Sequence, residues 1–294
     1  MTSSRKIAIQ RQFNRNSISY DTHAHVQRTM ADQLTESIIE WKNKEFIDEP
    51  KILEIGCGTG TLTQMVANEW PSASITALDI APEMIKAAVK RVQSEDDHLG
   101  TRNRISDRIR FILADIEKWA ADAPASSFDI IVSNACFQWL SYPKETLGHL
   151  QRMLRSGGVL IFTTFGPDTF CEMHRSFNEV YLALGIEPQR HGLSFHSPLE
   201  WKYMLEESGY SSFNYKRSIH IEKYASVSDF LHSVKAMGAS TSEAVTVSGH
   251  SLRRLFTNMY KEYEAKFRIQ GGIAATYDFL IIQSVCDSKV KVFP

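Results

Sequence analysis

Apolar positions along the chain follow two rhythms: short unbroken runs, and stripes at helical spacing. Ile52, Leu53 and Ile55, framed by Lys51 and Glu54, make a run of the length of one buried parallel strand. Leu62 to Trp70 then reads as a helix, and Ala73 to Leu78 as a second strand. Pro82 opens a further helix at the position proline prefers, with Met84, Ile85, Ala88 and Val92 on its apolar face. The charged stretch Ser94 to Arg108 predicts a solvated loop. Three more strands are expected at Arg110–Leu113, Phe128–Asn134 and Gly158–Thr164. Upstream of all these, Met30, Leu34, Ile38 and Trp41 recur with the period of an amphipathic helix leading into the core. Strands alternating with helices predict an α/β fold: a mostly parallel, Rossmann-like sheet with helices on both faces.

After the fifth strand the rhythm changes. Two helical insertions are predicted, 168–208 and 227–272. The first carries Phe170, Met173, Phe177, Tyr181 and Leu184 on one face, with His174 roughly 40° from Phe170. In the second, Val227, Phe230, Leu231, Val234 and Met237 form one stripe, and Leu252, Leu255, Phe256, Met259, Tyr263 and Phe267 another. Between the insertions Phe213–Tyr224 reads as a strand, and Thr276–Val285 as the last, a late pair able to complete the sheet as an antiparallel hairpin. The first 27 residues are polar but dense in aromatic and hydrogen-bonding groups, unlike a disordered tail. Residues 1–45 are therefore read as an arm and first helix, and the arm and both insertions as a lid over one domain spanning 1–294.

The chemistry gathers at the carboxyl ends of the strands, where such sheets bind ligands. Gly56, Gly58 and Gly60 follow the first strand and open a helix, which is half of a nucleotide-binding unit. Dinucleotide sites show G-x-G-x-x-G with a diphosphate at the helix N-terminus. Here Glu54 stands at the strand end, where it would repel a diphosphate and suit a cationic ligand instead. Asp79 lies roughly twenty residues on, where these folds grip ribose hydroxyls. Asp115 and Asn134 end the third and fourth strands. Met84 fits an adenine contact and simple core equally well.

Composition narrows the picture less. Over 294 residues, 43% hydrophobic and 23% charged are ordinary for a soluble globular protein, and a net charge of −1 gives no whole-molecule pull towards nucleic acid or membrane. No apolar run approaches a membrane span, and the polar N-terminus does not read as a signal peptide. The scattered Cys57, Cys136, Cys171 and Cys286 suggest reduced thiols in a cytoplasmic protein, without metal-ligand spacing.

Gly56-Cys57-Gly58-Thr59-Gly60, Asp79-Ile80-Ala81-Pro82-Glu83-Met84, Ala114-Asp115-Ile116-Glu117 and Ser133-Asn134-Ala135-Cys136-Phe137-Gln138-Trp139-Leu140 resemble the class I S-adenosylmethionine-dependent methyltransferases. Ser19-Tyr20-Asp21 through Val26-Gln27, Phe162 to Pro167, Leu231 to Ala239 and Gly272 to Tyr277 resemble, more specifically, the malonyl-[acyl-carrier-protein] O-methyltransferases of biotin synthesis. The resemblance spans nearly the whole chain. It implies methyl transfer from S-adenosylmethionine to the free carboxylate of a malonyl thioester, on acyl carrier protein or coenzyme A. It also implies cofactor contacts from Tyr20, Gln27, Glu54, Gly56, Cys57, Gly58, Gly60, Asp79, Ile80, Met84, Asp115, Ile116, Asn134 and Phe137. Substrate positioning would fall to Tyr20, Gln138, Trp139, His174, Lys235, Thr276 and Tyr277, and an acidic carrier could dock on Arg253 and Arg254. The competing readings are methylation of another small carboxylic acid or a quinone precursor, a non-catalytic S-adenosylmethionine-binding factor, and, least favoured, a dehydrogenase.

Overall fold

The computed structural model describes residues 2–45, 47–99, 104–236 and 252–286. In chain order the helices and strands are α1 (Thr2–Asn16), α2 (Tyr20–His23), α3 (His25–Lys42), β1 (Lys51–Ile55), α4 (Thr61–Glu69), β2 (Ser74–Asp79), α5 (Pro82–Leu99), β3 (Ile109–Leu113), α6 (Ile116–Asp122), β4 (Phe128–Ser133), α7 (Pro143–Met153), β5 (Leu154–Phe165), α8 (Cys171–Leu184), α9 (Pro198–Glu207), β6 (Asn214–Tyr224), α10 (Val227–Ala236), α11 (Leu252–Phe267), β7 (Arg268–Ile269) and β8 (Gly272–Val285). The strand order is β3-β2-β1-β4-β5-β8-β6, with β7 paired to β8. The first five strands are parallel, Leu53 lying beside Thr76 of β2 and Ile131 of β4. β8 runs against β5: Gly157 donates to Cys286, and further along Gly166 donates to Asp278. β8 and β6 are neighbours as expected, but α10 and α11 intervene, so they are not a hairpin.

The chain divides into two compact units, one of Met1–Thr164, His196–Lys216 and Leu280–Pro294, the other of Phe165–Phe195 and Arg217–Phe279. In the first unit, β1 is apolar on both sides because strands flank it and helices cover it, and Ile52, Leu53 and Ile55 are buried. The α3 stripe of Met30, Leu34, Ile38 and Trp41 is buried as its spacing predicts. In the second unit, Phe170 meets both Phe230 and Tyr277 edge-on, and Phe177 stacks on His191.

Two further expectations need correcting. The stretch from Ser94 is not a loop: α5 continues to Leu99, and a 3-10 turn occupies Ile105–Arg108. Half-buried Glu95 accepts from the Gln64 side chain at 2.7 Å, and buried Asp96 accepts from the backbone N–H groups of Ile105 (2.5 Å) and Ser106 (3.1 Å). The first insertion does not run to residue 208, because α9 belongs to the first unit. Ser197 and Glu200 cap its start, and Trp201 and Leu205, one turn apart, bury beside Phe137 and Phe162. Residues 1–27 are largely helical, forming α1, α2 and the start of α3. Met237, Gly238 and Ala239 of the second insertion lie outside the described residues.

Candidate functional site

β1 ends in a turn that only glycine serves well. Gly56 has φ +71°, and a Cβ there would lie 2.5 Å from the Cys136 Sγ, so backbone packs directly against that side chain. Its N–H and that of Cys57 donate to the Leu78 carbonyl at 2.7 and 3.0 Å, tying the turn to β2. Gly60 opens α4 at φ +84°, and a Cβ there would meet the Ala88 Cα at 2.9 Å. Its role is close packing of α4 on α5, and it lines neither cleft described below.

Asp79, at the end of β2, accepts from the N–H of Gly58 (2.9 Å) and of Ala81 (2.8 Å). Burial pushes its pKa up, and those backbone donors hold it back. Glu54 is buried with its carboxyl 2.5 Å from the Thr63 hydroxyl. Burial raises its pKa to about 7, with Asp79 adding to the rise and Thr63 opposing it. At the end of β4, Asn134 donates to the Gln27 carbonyl at 2.9 Å and accepts from the Thr163 hydroxyl at 2.6 Å. Asp115 caps α6 by accepting from the Glu117 N–H at 3.1 Å.

These strand ends surround a cleft of about 750 Å³, its open mouth included. Gly56, Gly58, Asp79, Ile80, Met84, Asp115, Ile116, Asn134, Trp139 and Tyr20, all expected from the sequence, line it. An adjoining cleft of about 460 Å³ takes in Gln27, Glu54 and Cys57, and shares Tyr20, Gly56, Gly58 and Asn134 with the first. Tyr20 is held protonated by burial and by the nearby Asp79 and Asp21 carboxylates, which push its pKa well up. Burial likewise pushes the Cys136 thiol up to about 12.

The structure adds residues that sequence reasoning missed. Lys6, Ile9 and Phe13 of α1 line the larger cleft, and Phe13 meets Trp139 edge-on at 5.6 Å. Their one signal in the sequence is Ile9 and Phe13, an apolar pair one helical turn apart in a polar stretch. Phe137 is corrected the other way: its ring stacks on Phe162 at 4.1 Å inside the core and lines neither cleft. Gln138 also stays outside them, donating to the Ala135 carbonyl at 2.7 Å and accepting from Thr164.

Residues 22–212 match the family model described as a methyltransferase domain. The malonyl-[acyl-carrier protein] O-methyltransferase of Paenibacillus sp. (strain JDR-2) is 56% identical over 94% of this chain and 98% of its own length. Its namesake from Brevibacillus brevis is 38% identical over 98% and 99%. The chain belongs to the malonyl-[acyl-carrier protein] O-methyltransferase family. Among solved structures, the YcgJ protein of Bacillus subtilis shares this methyltransferase's fold at a TM-score of 0.56, with 17% identity over 87% of this chain and 99% of that one. A Haemonchus contortus phosphoethanolamine N-methyltransferase 2, solved with S-adenosyl-L-methionine, aligns over 86% and 52% at 0.50 and 15% identity.

The remaining positions expected to serve this methyltransferase lie in the second unit. Thr276 gives both its N–H (3.0 Å) and its hydroxyl (2.5 Å) to buried Glu172, and the Tyr277 hydroxyl meets that of Tyr224 at 2.7 Å. Both hydroxyls are thus engaged within that unit. His174 keeps a buried Nε2 with no hydrogen-bond partner among the described residues, and burial, then Arg190 and His191, lowers its pKa to about 4. Lys235 is exposed near the end of α10. Among the described residues no group of His, Cys, Asp and Glu side chains is arranged to hold a metal ion, and no helix is long and apolar enough to cross a membrane.

Proposed function

We propose that this protein transfers the methyl group of S-adenosylmethionine to the free carboxylate of a malonyl group carried as a thioester on acyl carrier protein. The observation that carries this reading is the 56% identity, over almost the whole of both chains, to a malonyl-[acyl-carrier protein] O-methyltransferase. The residues present suit the cofactor. The Gly58 position opens onto space, where a Cβ would meet nothing within 4 Å, so a ligand can lie against the turn. Asp79 offers a carboxylate to ribose hydroxyls, and Ile80, Met84, Ile116 and Leu140 offer an apolar slot for a base. Glu54 and Asp79 together suit a ligand bearing positive charge.

The cofactor supplies a methyl group already activated on a sulfonium. A carboxylate is ionised at pH 7 and is itself the nucleophile, so no proton need move. The protein's part is to align the reacting atoms and exclude water. It must also give the substrate carboxylate donors, since a buried, unpaired charge is costly. His174 and Lys235 are the donors we infer for it. The product ester hides a charge that chain-elongating enzymes would otherwise meet, which supports a place at the start of pimeloyl assembly for biotin.

An acidic carrier needs a basic surface, and a net charge of −1 leaves that to a local patch. Arg253 and Arg254 stand exposed on α11, whereas Lys266 farther along is paired with Glu179 at 2.8 Å. Methyl-labelled S-adenosylmethionine with malonyl-carrier should yield a carrier-bound methyl ester; no transfer to it would overturn the reading. Reversing both arginines to glutamate should raise KM for malonyl-carrier about tenfold and change malonyl-coenzyme A turnover little. Equal loss on both substrates would remove the docking assignment.

A further inference from the structure

The base end of the larger cleft is closed by charges. Lys6 of α1 places its Nζ 2.5 Å from the Asp115 Oδ2 and pairs with the Glu117 Oε2 as well. The three side chains are only 18%, 15% and 7% exposed. Glu117 is fixed independently, its Oε1 accepting from the N–H groups of Ser141 (2.9 Å) and Tyr142 (2.5 Å). Lys6 does not swing freely, because the same face of α1 is tied down at two further points. Gln10 donates to the Ile80 carbonyl at 2.7 Å, and the Asn14 side chain accepts from the Glu83 N–H at 3.0 Å. Residues 6, 10 and 14 therefore form one stripe, each a turn from the next, running along the ends of β2 and β3.

Two carboxylates that both reach one ammonium lie within repulsive reach of each other. With Lys6 between them they are held still. Asp115 then keeps one orientation, its Oδ1 on the Glu117 N–H and its Oδ2 on Lys6, and as a carboxylate lining the cleft it still has acceptor capacity to spare. An acceptor fixed beside an apolar slot selects a base edge that donates. We propose that Lys6 is a positioning residue that sets base specificity: it fixes Asp115 as a hydrogen-bond acceptor, so that the site takes a 6-aminopurine and rejects a 6-oxopurine.

The proposal rests on the cofactor reading above, and the test separates the two. Binding of S-adenosylhomocysteine and of its deaminated analogue S-inosylhomocysteine is measured calorimetrically on the full chain, as wild type, Lys6→Met and Lys6→Arg. The wild type should prefer the 6-amino ligand by about tenfold or more, since a site built around one polar edge rejects its counterpart. Lys6→Met should bring the two affinities to within about threefold, mainly by loss for the 6-amino ligand, and Lys6→Arg should keep most of the preference. Melting curves of both variants show whether the fold survives; if the Met variant does not fold, retention or loss of the preference in the Arg variant decides. A wild type that binds both ligands equally overturns the proposal, and so does a Lys6→Met variant whose affinities fall by the same factor, which marks Lys6 as structural. A wild type that binds neither overturns the cofactor reading, and the role of Lys6 with it.

Discussion

Replacing Asp79 with alanine removes a carboxylate that serves both the ligand and the turn, and the structure separates the two costs. For the fold, the lost acceptor leaves the N–H groups of Gly58 and Ala81 without partners. Gly58 lines the cleft, where water can replace the lost contact, whereas Ala81 is buried. One stranded buried donor costs about 1–3 kcal/mol. Against that, burial already raises the Asp79 pKa, so its charge is itself a burden on the folded state, and its removal also relieves the buried Glu54 nearby. The net loss should sit near 1 kcal/mol, a melting shift of roughly 2–4 °C. For the ligand, losing a charge-assisted contact to two ribose hydroxyls costs about 1.5–3 kcal/mol, or roughly a 10- to 150-fold rise in Kd. Titration calorimetry with S-adenosylhomocysteine and a ligand-free melting scan read the two separately. An affinity within threefold of wild type in a folded variant would refute the ribose assignment, and a collapse of melting with little change in affinity would make Asp79 an anchor only.

Glu54 ties binding to pH. With a folded pKa of about 7 against an ordinary 4.5, the native state keeps a proton that the unfolded chain releases, so this group's stabilisation is complete below pH 4.5 and is lost as pH rises towards 7. A cationic ligand end beside it favours the ionised form, so S-adenosylhomocysteine should bind with proton release at pH 6.5, seen as buffer-dependent calorimetric enthalpies that vanish in Glu54→Gln; equal enthalpies in all buffers would remove Glu54 from the ligand's reach. Gly60→Ala should lower stability by roughly 2–5 kcal/mol, from its left-handed φ and the overlap with Ala88, while leaving ligand affinity nearly intact. An unchanged melting temperature would mean that α4 and α5 separate without cost.

What can be read from the sequence is local: β1 with its glycine turn, the α3 stripe, and acids at the strand ends, each a pattern within a few residues. What escapes is long-range or depends on direction. Apart from the Ile9 and Phe13 pair, the inward contacts of α1 are polar, from Lys6, Gln10 and Asn14 to partners 109, 70 and 69 residues away, and no periodicity announces these. Phe137 and Trp139 share one motif and one 3-10 turn, but successive residues of such a turn point about 120° apart. Trp139 therefore meets the cleft while Phe137 enters the core. Gly60 belongs to the glycine motif by spacing, yet its constraint comes from Ala88 on another helix. Sequence alone assigns α9 to an insertion, because its tryptophan names no partner until Phe137 and Phe162 are placed.

The carboxyl groups around the cleft are held in place by hydrogen bonds and ion pairs, and the proton that Glu54 gives up answers the ligand's charge rather than the transfer step. Asp79 is held by backbone donors, Glu54 by Thr63, and Asp115 and Glu117 by Lys6. None is poised as an acid–base pair, and a methyl group transferred from a sulfonium to a carboxylate asks for none. The sign of the charge matters more than its mobility. Of these four carboxyl groups only Asp115 and Glu117 pair with a cation, Lys6, and the excess of acid favours a cationic cofactor and favours it less once the sulfonium has become a thioether. The same field opposes an arriving carboxylate. The substrate carboxylate therefore has to find its hydrogen-bond donors away from these strand-end acids.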